Sequence, residues 1–260
     1  MSNSGRILAV SFLATLLFAS ALVAQEAGTM MSGPESQLTP DFTGLWSRLR
    51  SEGATQRGYA PLFFEFTKTE PPMTPWAEEK YRIAKKTFRE SAKTVLSDPL
   101  LQCFPPGLPR IYLLPHPMQI IQIPGQVIML FEYDHFVRRI FTDGRPHDTS
   151  QGPLWMGDSI GKWEGDTLVT DTIGFNDKTL LDRIAHPHSD QMHLTERIRR
   201  VDHNTLELAF TIDDPKAYTK PWGATLVFEQ RSDWKVMEQV CQDNVTFLDF
   251  NKKATQGPAK

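Results

Sequence analysis

The sequence lacks three features that would indicate a class of function: an excess of basic over acidic residues, a second long apolar run and cofactor-binding motifs. Lys and Arg number 28 against 31 Asp and Glu, a net charge of −3, so no nucleic-acid-binding surface is predicted. No phosphate loop, dinucleotide fingerprint or haem motif is present, and there is no internal repeat. Gly157-Asp158-Ser159-Ile160-Gly161 resembles a nucleophile elbow, but it precedes a predicted hairpin where a hydrolase would have a helix.

The first residues have the three-part pattern of a signal peptide. Arg6 precedes an unbroken run of apolar and small residues from Ile7 to Phe18, and Ala19-Ser20-Ala21 fits the small-residue rule for cleavage. We expect residues 1–24 to be removed, with the cut after Ala21 or Ala24, and a periplasmic or secreted protein. The alternative is an N-terminal membrane anchor, but the run is shorter than the roughly 20 residues that span a bilayer. No later run reaches that length, so no membrane span is predicted after cleavage, and no lipobox cysteine points to a lipid anchor.

Only two cysteines occur, Cys103 and Cys241. In an oxidising compartment an isolated pair usually forms a disulfide, and that is the favoured interpretation here. The other interpretation, a reactive thiol, has no activating motif beside it.

The chain after residue 24 is predicted to contain one domain. Residues 25–40 are small and polar and predict a flexible tail, residues 41–250 predict a single β-rich domain, and residues 251–260 predict a polar C-terminal tail. One helix is predicted near residues 75–95, because Thr74 can cap it and Pro75 suits its first position. It should pack outside the sheet.

Short strand patterns separated by turn signals fill the rest of the domain. The turn signals are Pro124-Gly125, Gly165-Asp166, Asp202-His203-Asn204 and Ser232-Asp233. Further strands are predicted at Leu62–Phe66, His135–Phe141 and, after the last turn signal, Trp234–Cys241. Successive hairpins predict a mainly β protein with an antiparallel meander closed, or nearly closed, into a lipocalin-like or calycin-like barrel.

Charged residues interrupt the apolar face of several predicted strands. Leu206, Leu208, Phe210 and Ile212 form an uninterrupted apolar face, whereas Glu196 lies between Leu194 and Ile198 on the hairpin partner. Three similar interruptions are Arg138, Asp171 and Glu238. A charge on a core face is costly unless it is paired or reaches water. Two interpretations follow: a polar cavity inside the barrel, or buried ion pairs and locally exposed faces.

Three of the seven histidines, His186, His188 and His193, fall within eight residues. They form a candidate site for a divalent metal with an open coordination position. Two other interpretations are open. A histidine and a carboxylate can act as acid and base without a metal. The segment can also be a proline-stiffened turn whose histidine rings hydrogen-bond to the backbone and have a structural role.

The segment from Glu132 to Arg139 is a third candidate cluster. Glu132, His135 and Arg138 are candidate substrate-binding residues, with the arginine suited to a carboxylate or phosphate. Arg138 can equally pair with Glu196 or Asp171 across strands. Trp222 is a candidate aromatic lid, although core packing is the default role of a tryptophan.

Several segments resemble a widespread family of secreted bacterial β-rich proteins. They are Cys103–Arg110, Trp163–Leu168, Ile173–Asn176, His188–Asp190 with His193, and Tyr218–Trp222. The resemblance extends over roughly residues 40–245 and implies export and a shared β-rich domain, without an activity. Gly44-Leu45-Trp46 also resembles the G-x-W opening of lipocalin-like barrels.

The sequence therefore favours an exported enzyme that acts on a small polar organic substrate by acid–base chemistry, of lyase, isomerase or hydrolase type. The predicted catalytic residues are His188, His193, Glu196 and Asp171. A non-catalytic lipocalin-like carrier is the alternative, and a structural or interaction protein of the envelope is the third hypothesis. A carrier should have an apolar lumen, so the charged interruptions favour the enzyme.

Overall fold

Nine strands close into a β-barrel in the computed structural model, which describes residues 40–49, 66, 69–90 and 98–243. The strands are β1 (Gly44–Arg48), β2 (Met118–Ile123), β3 (Gln126–Phe131), β4 (Val137–Phe141), β5 (Asp158–Glu164), β6 (Thr167–Ile173), β7 (His193–Asp202), β8 (Thr205–Asp213) and β9 (Trp222–Gln230). Each strand pairs with its neighbours in sequence, and β1 pairs with β9 to close the barrel. The prediction of a mainly β, lipocalin-like barrel is confirmed.

All the strand pairs are antiparallel except one. β4 and β5 pair in parallel at Ile140 with Ser159 and Phe141 with Ile160. Parallel neighbours need a long connection, and residues 142–157 supply it. The predicted meander therefore has one crossover that the turn signals did not reveal.

The predicted strand at Trp234–Cys241 is wrong. β9 already has β8 on one edge and β1 on the other, through pairs such as Trp46 with Gln230. No free edge remains for a tenth strand, and residues 234–240 are not strand. Glu238, predicted to interrupt a core face, is consequently exposed. The predicted strand residues 62–65 lie outside the described residues.

Alternation along β7 and β8 builds the core as the sequence predicted. Leu206, Leu208, Phe210 and Ile212 are buried, as are Leu194 and Ile198 on β7. The predicted hairpin turns at Pro124-Gly125 and Gly165-Asp166 are also present. These turns and the β7–β8 turn lie at one end of the barrel, which we call the short-turn end.

The opposite end, the long-loop end, carries the connections 98–117, 174–192 and 214–221. Helix α1 (Pro75–Glu90) packs there. Its first residue is the one predicted, and Thr74 accepts a hydrogen bond from the Ala77 amide at 3.3 Å. The Thr74 amide in turn donates to the Ala217 carbonyl at 2.8 Å. The predicted helix end near residue 95 lies outside the described residues.

A short 3₁₀ turn, Arg110–Leu113, fills the barrel at the long-loop end. All four of its side chains are buried. The disulfide between Cys103 and Cys241 joins the segment before this turn to the chain after β9, with Cα atoms 5.6 Å apart. The predicted disulfide is therefore confirmed. No helix in the described part of the chain is long and apolar enough to cross a membrane.

Candidate functional site

Two of the predicted charged interruptions meet inside the barrel. Arg138 on β4 is 2% exposed, and Glu196 on β7 is fully buried. Arg138 Nη1 donates to Glu196 Oε1 at 2.9 Å, and Nη2 donates to Oε2. The two side chains therefore form a bidentate ion pair that is removed from water.

Buried hydroxyl groups satisfy the other polar atoms of this pair. They belong to Tyr112, Ser159, Thr170 and Thr172. Tyr112 and Thr170 donate to Glu196 at 2.9 and 2.7 Å. Burial by itself would lower the pKa of Arg138, but Glu196 and Tyr112 together outweigh it and raise that pKa. Because every charge already has protein partners, the geometry favours the buried-ion-pair interpretation over a substrate cavity.

Asp171 does not join this pair, contrary to the prediction. The inward face of β6 consists of Leu168, Thr170 and Thr172, whereas the side chain of Asp171 is 45% exposed. Both faces of β6 carry β-branched or apolar residues, so the sequence alone does not show which face is buried, and the predicted inward face is the outward one.

On the outer surface Asp171 accepts a hydrogen bond from His193 Nε2. His147 Nε2 lies 3.7 Å from its other oxygen, and His147 Nδ1 lies 2.7 Å from Asp158. His193 and Asp171, both predicted as catalytic, thus form a pair, but it is separate from Glu196.

The histidines of the 186–193 cluster have three separate sets of partners. His186 contacts Asp182 and Glu70, His188 contacts Thr179, and His193 contacts Asp171. Within residues 40–49, 66, 69–90 and 98–243, no three His, Cys, Asp or Glu side chains are grouped so as to hold a metal ion. The predicted His186–His188–His193 metal site is not assembled by this geometry.

The remaining predicted residues occupy separate places. Glu132 lies 3.1 Å from His116 Nδ1 and accepts from the Met237 amide. His135 is exposed and has a positive φ of 56°. Trp222 packs edge-on against Tyr218, with ring centroids 5.2 Å apart. None of these residues faces the Arg138–Glu196 pair through a contact that the structure describes.

His186 fastens the segment before α1 to the 174–192 loop. Its Nδ1 lies 2.5 Å from Asp182 and its Nε2 2.7 Å from Glu70, while its ring stacks on Tyr81. Burial alone would lower the pKa of His186, but the two carboxylates outweigh burial and raise it above the ordinary 6.5. Protonated His186 therefore joins two elements of the long-loop end.

We predict that His186→Gln destabilises the protein more at pH 6 than at pH 9. A group whose pKa is raised on folding contributes fully below its unfolded pKa, and the contribution is lost as pH rises through the folded pKa. Hydrogen bonds to charged groups contribute about 1.5–3 kcal/mol, which is the expected loss at pH 6. Urea unfolding at both pH values measures it. His203→Gln, in an exposed turn, is the control, and an equal loss at both pH values would contradict the prediction.

A cleft of about 410 Å³ lies between α1 and the 174–192 loop. Its apolar wall consists of Trp76, Ile83, Ala84, Pro99, Leu180 and Pro187. Its polar lining consists of Lys80, Asp177, Lys178, Thr179 and His188. The cleft thus combines an apolar wall with two ammonium groups and one carboxylate.

The two lysines of the cleft lie beside indole rings. Lys80 Nζ is 5.5 Å from the centre of the Trp76 ring, and Lys178 Nζ is 5.7 Å from that of Trp155. Neither has an ion-pair partner among the carboxylates that the structure describes. Their charge is therefore available to a ligand.

His188 and Thr179 form the buried base of the cleft. Thr179 Oγ1 lies 2.7 Å from His188 Nε2, and His188 Nδ1 lies 3.1 Å from the Ser189 carbonyl oxygen. Burial lowers the pKa of His188, which keeps the ring neutral at neutral pH. Of the predicted catalytic residues, His188 is the one that lines this cleft.

The sequence reasoning did not identify Tyr112, Thr179, Lys80 or Lys178. One signal was present: Trp76, Lys80, Ile83 and Ala84 have the i, i+4, i+7, i+8 spacing of one helix face. Thr179 and Tyr112 have no comparable local signal, because their partners are distant in the chain.

Comparison with protein-family models and with curated proteins finds no match. Among solved structures, a "REP1-NXSQ fatty acid transporter" is similar with a TM-score of 0.32 and 8% sequence identity. The match covers 74% of this chain and 97% of that chain. A likeness at this level carries no inference about function.

Proposed function

We propose that this chain is an exported β-barrel protein that binds a small organic anion in the cleft between α1 and the 174–192 loop. One observation carries the proposal: two lysines without described carboxylate partners border an apolar wall around about 410 Å³. A concave, mostly apolar site with a few placed polar groups is the usual form of a small-molecule site. A ligand with an apolar body and one carboxylate or sulfonate would match it.

The interior of the barrel supports this assignment by exclusion. Arg138 and Glu196 bind one another and four protein hydroxyl groups, so their hydrogen-bonding groups are already used within the protein and are not offered to a substrate. The 3₁₀ turn Arg110–Leu113 also fills the barrel end with buried side chains. A ligand is therefore better accommodated outside the lumen, at the long-loop end.

We predict that the double variant Lys80→Met, Lys178→Met binds 1-anilinonaphthalene-8-sulfonate about three- to tenfold more weakly than the parent protein. Exposed charge interactions contribute roughly 0.2–1 kcal/mol each. Two of them therefore contribute about 0.4–2 kcal/mol, and the expected three- to tenfold loss lies in the middle of that range. Methionine keeps the apolar stem, so the wall should be preserved. Fluorescence titration of the dye measures the affinity, and competition by decanoate but not by decanol would show that the negative charge is recognised.

Lys162→Met is the matched control, because Lys162 is an exposed lysine of β5 that pairs with Glu164 at 2.8 Å. It should leave the dye affinity unchanged. Equal affinities for the parent and the double variant, or equal weakening by the control, would overturn the proposal. Raising the salt concentration should narrow the difference between parent and double variant, since exposed charges are screened.

A further inference from the structure

We propose that Thr179 and His188 are a hydroxyl nucleophile and its base, and that the ligand of the cleft is a small anionic carboxylic ester which the protein hydrolyses. This inference rests on the proposed function, since it places chemistry in the same cleft. Binding alone does not require a hydroxyl–imidazole pair at the base of the cleft, whereas hydrolysis does.

The direction of the hydrogen bonds gives the first support. The Ser189 carbonyl oxygen can only accept, so His188 Nδ1, 3.1 Å away, carries the proton of the neutral ring. His188 Nε2 is then an acceptor, and the Thr179 hydroxyl, 2.7 Å away, donates to it. This is the arrangement in which a neutral imidazole removes a proton from a hydroxyl group.

A buried carboxylate holds the histidine's partner in place. Asp214 is 1% exposed and accepts hydrogen bonds from the Ser189 amide at 2.6 Å and the Ser189 hydroxyl at 2.7 Å. It also accepts from the Ala217 amide at 3.1 Å. Asp214 thereby fixes the Ser189 carbonyl that orients His188, and its negative charge favours the imidazolium formed during reaction. Asp214 is a positioning residue in this scheme.

Glycine at position 107 lets the backbone pack closely beside Thr179, so that side of the hydroxyl is occupied. A Cβ atom there would lie 2.9 Å from Thr179 Oγ1 and 3.1 Å from the Trp155 carbonyl oxygen. Gly107 also has a φ of +71°, which other residues rarely adopt. Thr179 is only 6% exposed, so the approach to its hydroxyl is narrow. Short acyl groups are therefore the expected substrates, with their anionic ends towards Lys80 or Lys178.

The reaction balances with water as the only co-reactant. Thr179 Oγ1 bonds to the ester carbonyl carbon while its proton passes to His188 Nε2. The carbon–oxygen bond to the leaving alcohol then breaks, and the alcohol takes that proton. Water attacks the acyl-threonine through the same base, which releases the carboxylic acid and returns a proton to Thr179.

The test uses the full-length exported protein and mono-4-nitrophenyl succinate, an anionic ester whose hydrolysis releases 4-nitrophenolate. We expect hydrolysis above the buffer rate and, after acid quenching, a succinyl group on the peptide that contains Thr179, detected by mass spectrometry. Thr179→Val and His188→Gln should each lower the rate about 10²- to 10⁴-fold, the contribution typical of a positioned base. Thr179→Ser keeps the hydroxyl and should retain hydrolysis and the adduct.

Additional readouts separate chemistry from folding and from binding. Asp214→Asn should shift the pH profile of hydrolysis, which a residue that merely supports the fold would not do. Lys162→Met should leave the rate unchanged. If Thr179→Val fails to fold, the adduct site in the parent and in Thr179→Ser decides the question. Hydrolysis unaffected by Thr179→Val, an acyl group only on Lys80 or Lys178, or no hydrolysis at all would overturn the inference. Dye binding that persists in those cases would leave the binding proposal standing.

Discussion

Replacing Glu196 with glutamine is expected to lower the free energy of unfolding by about 3–5 kcal/mol. The substitution preserves the volume but leaves the Arg138 guanidinium charged in a site that is 2% exposed. The variant removes the carboxylate that raises the pKa of Arg138 against the effect of burial, but a guanidinium group stays protonated near neutral pH, so the ion remains charged without its partner. Denaturant unfolding followed by circular dichroism measures the loss.

Two further variants identify the origin of that loss. Arg138→Met combined with Glu196→Leu removes both charges and should recover much of the stability, because well-packed apolar residues often replace a buried pair at little cost. Glu164→Gln removes the partner of Arg197 from an exposed pair 2.9 Å apart and should cost far less than Glu196→Gln, because water already solvates both charges. Equal losses for Glu164→Gln and Glu196→Gln would contradict the burial argument. A folded Glu196→Gln protein that has lost dye binding would instead indicate that the ligand binds inside the barrel, next to Glu196.

Local pattern was enough to predict the barrel, because its strands pair almost entirely with sequence neighbours. Gly165-Asp166 joins β5 and β6 directly, and the four apolar residues at alternate positions of β8 face inward. The Thr74-Pro75 helix start is likewise a local signal. In each case the physical cause, turn geometry, side-chain alternation or capping, acts over a few residues.

The errors arose where a distant element decides the outcome. Trp234–Cys241 alternates like a strand, but β1, nearly 200 residues earlier, takes the edge that it would need. Asp171 lies on a strand whose two faces are similarly apolar, so its orientation depends on the register with β5 and β7.

Candidate site residues were predicted only in part for the same reason. Glu196 and Arg138 were recognised because each breaks an apolar alternation. Tyr112 reaches Glu196 across a sequence separation of 84 residues from a proline-dense segment without a periodic pattern. Thr179 becomes a candidate nucleophile only because the fold places it beside His188. The cleft likewise forms only where α1 packs on the long-loop end. Side-chain chemistry was therefore easier to recognise than the place where it is used.

The barrel thus separates stability from the proposed chemistry. The Arg138–Glu196 pair and the 3₁₀ turn fill the interior, while the cleft is built from α1 and the connections at one end. Loops placed by a rigid framework commonly carry function. Variants in the interior should therefore change stability, whereas variants at Lys80, Lys178, Thr179 and His188 should change binding or reaction.

Removing the disulfide should give a second large loss of stability. Replacing both Cys103 and Cys241 with alanine is expected to cost about 2–5 kcal/mol, and the chain-entropy model gives about 5 kcal/mol for a separation of 138 residues. The bond ties the segment before the buried 3₁₀ turn to residues 237–243. That C-terminal segment otherwise contacts the β3–β4 connection through hydrogen bonds such as Cys241 N to Asp134 Oδ1 at 3.1 Å. Hydrogen exchange in the double variant should accelerate in residues 98–114 and 237–243 more than in the β7–β8 hairpin.

The control is the oxidised parent protein, unfolded with and without reductant, and it should show the same difference in unfolding free energy. A loss below about 1 kcal/mol, or exchange that accelerates evenly across the barrel, would contradict this account and indicate that packing and the Asp134 contacts hold the two segments without the covalent bond.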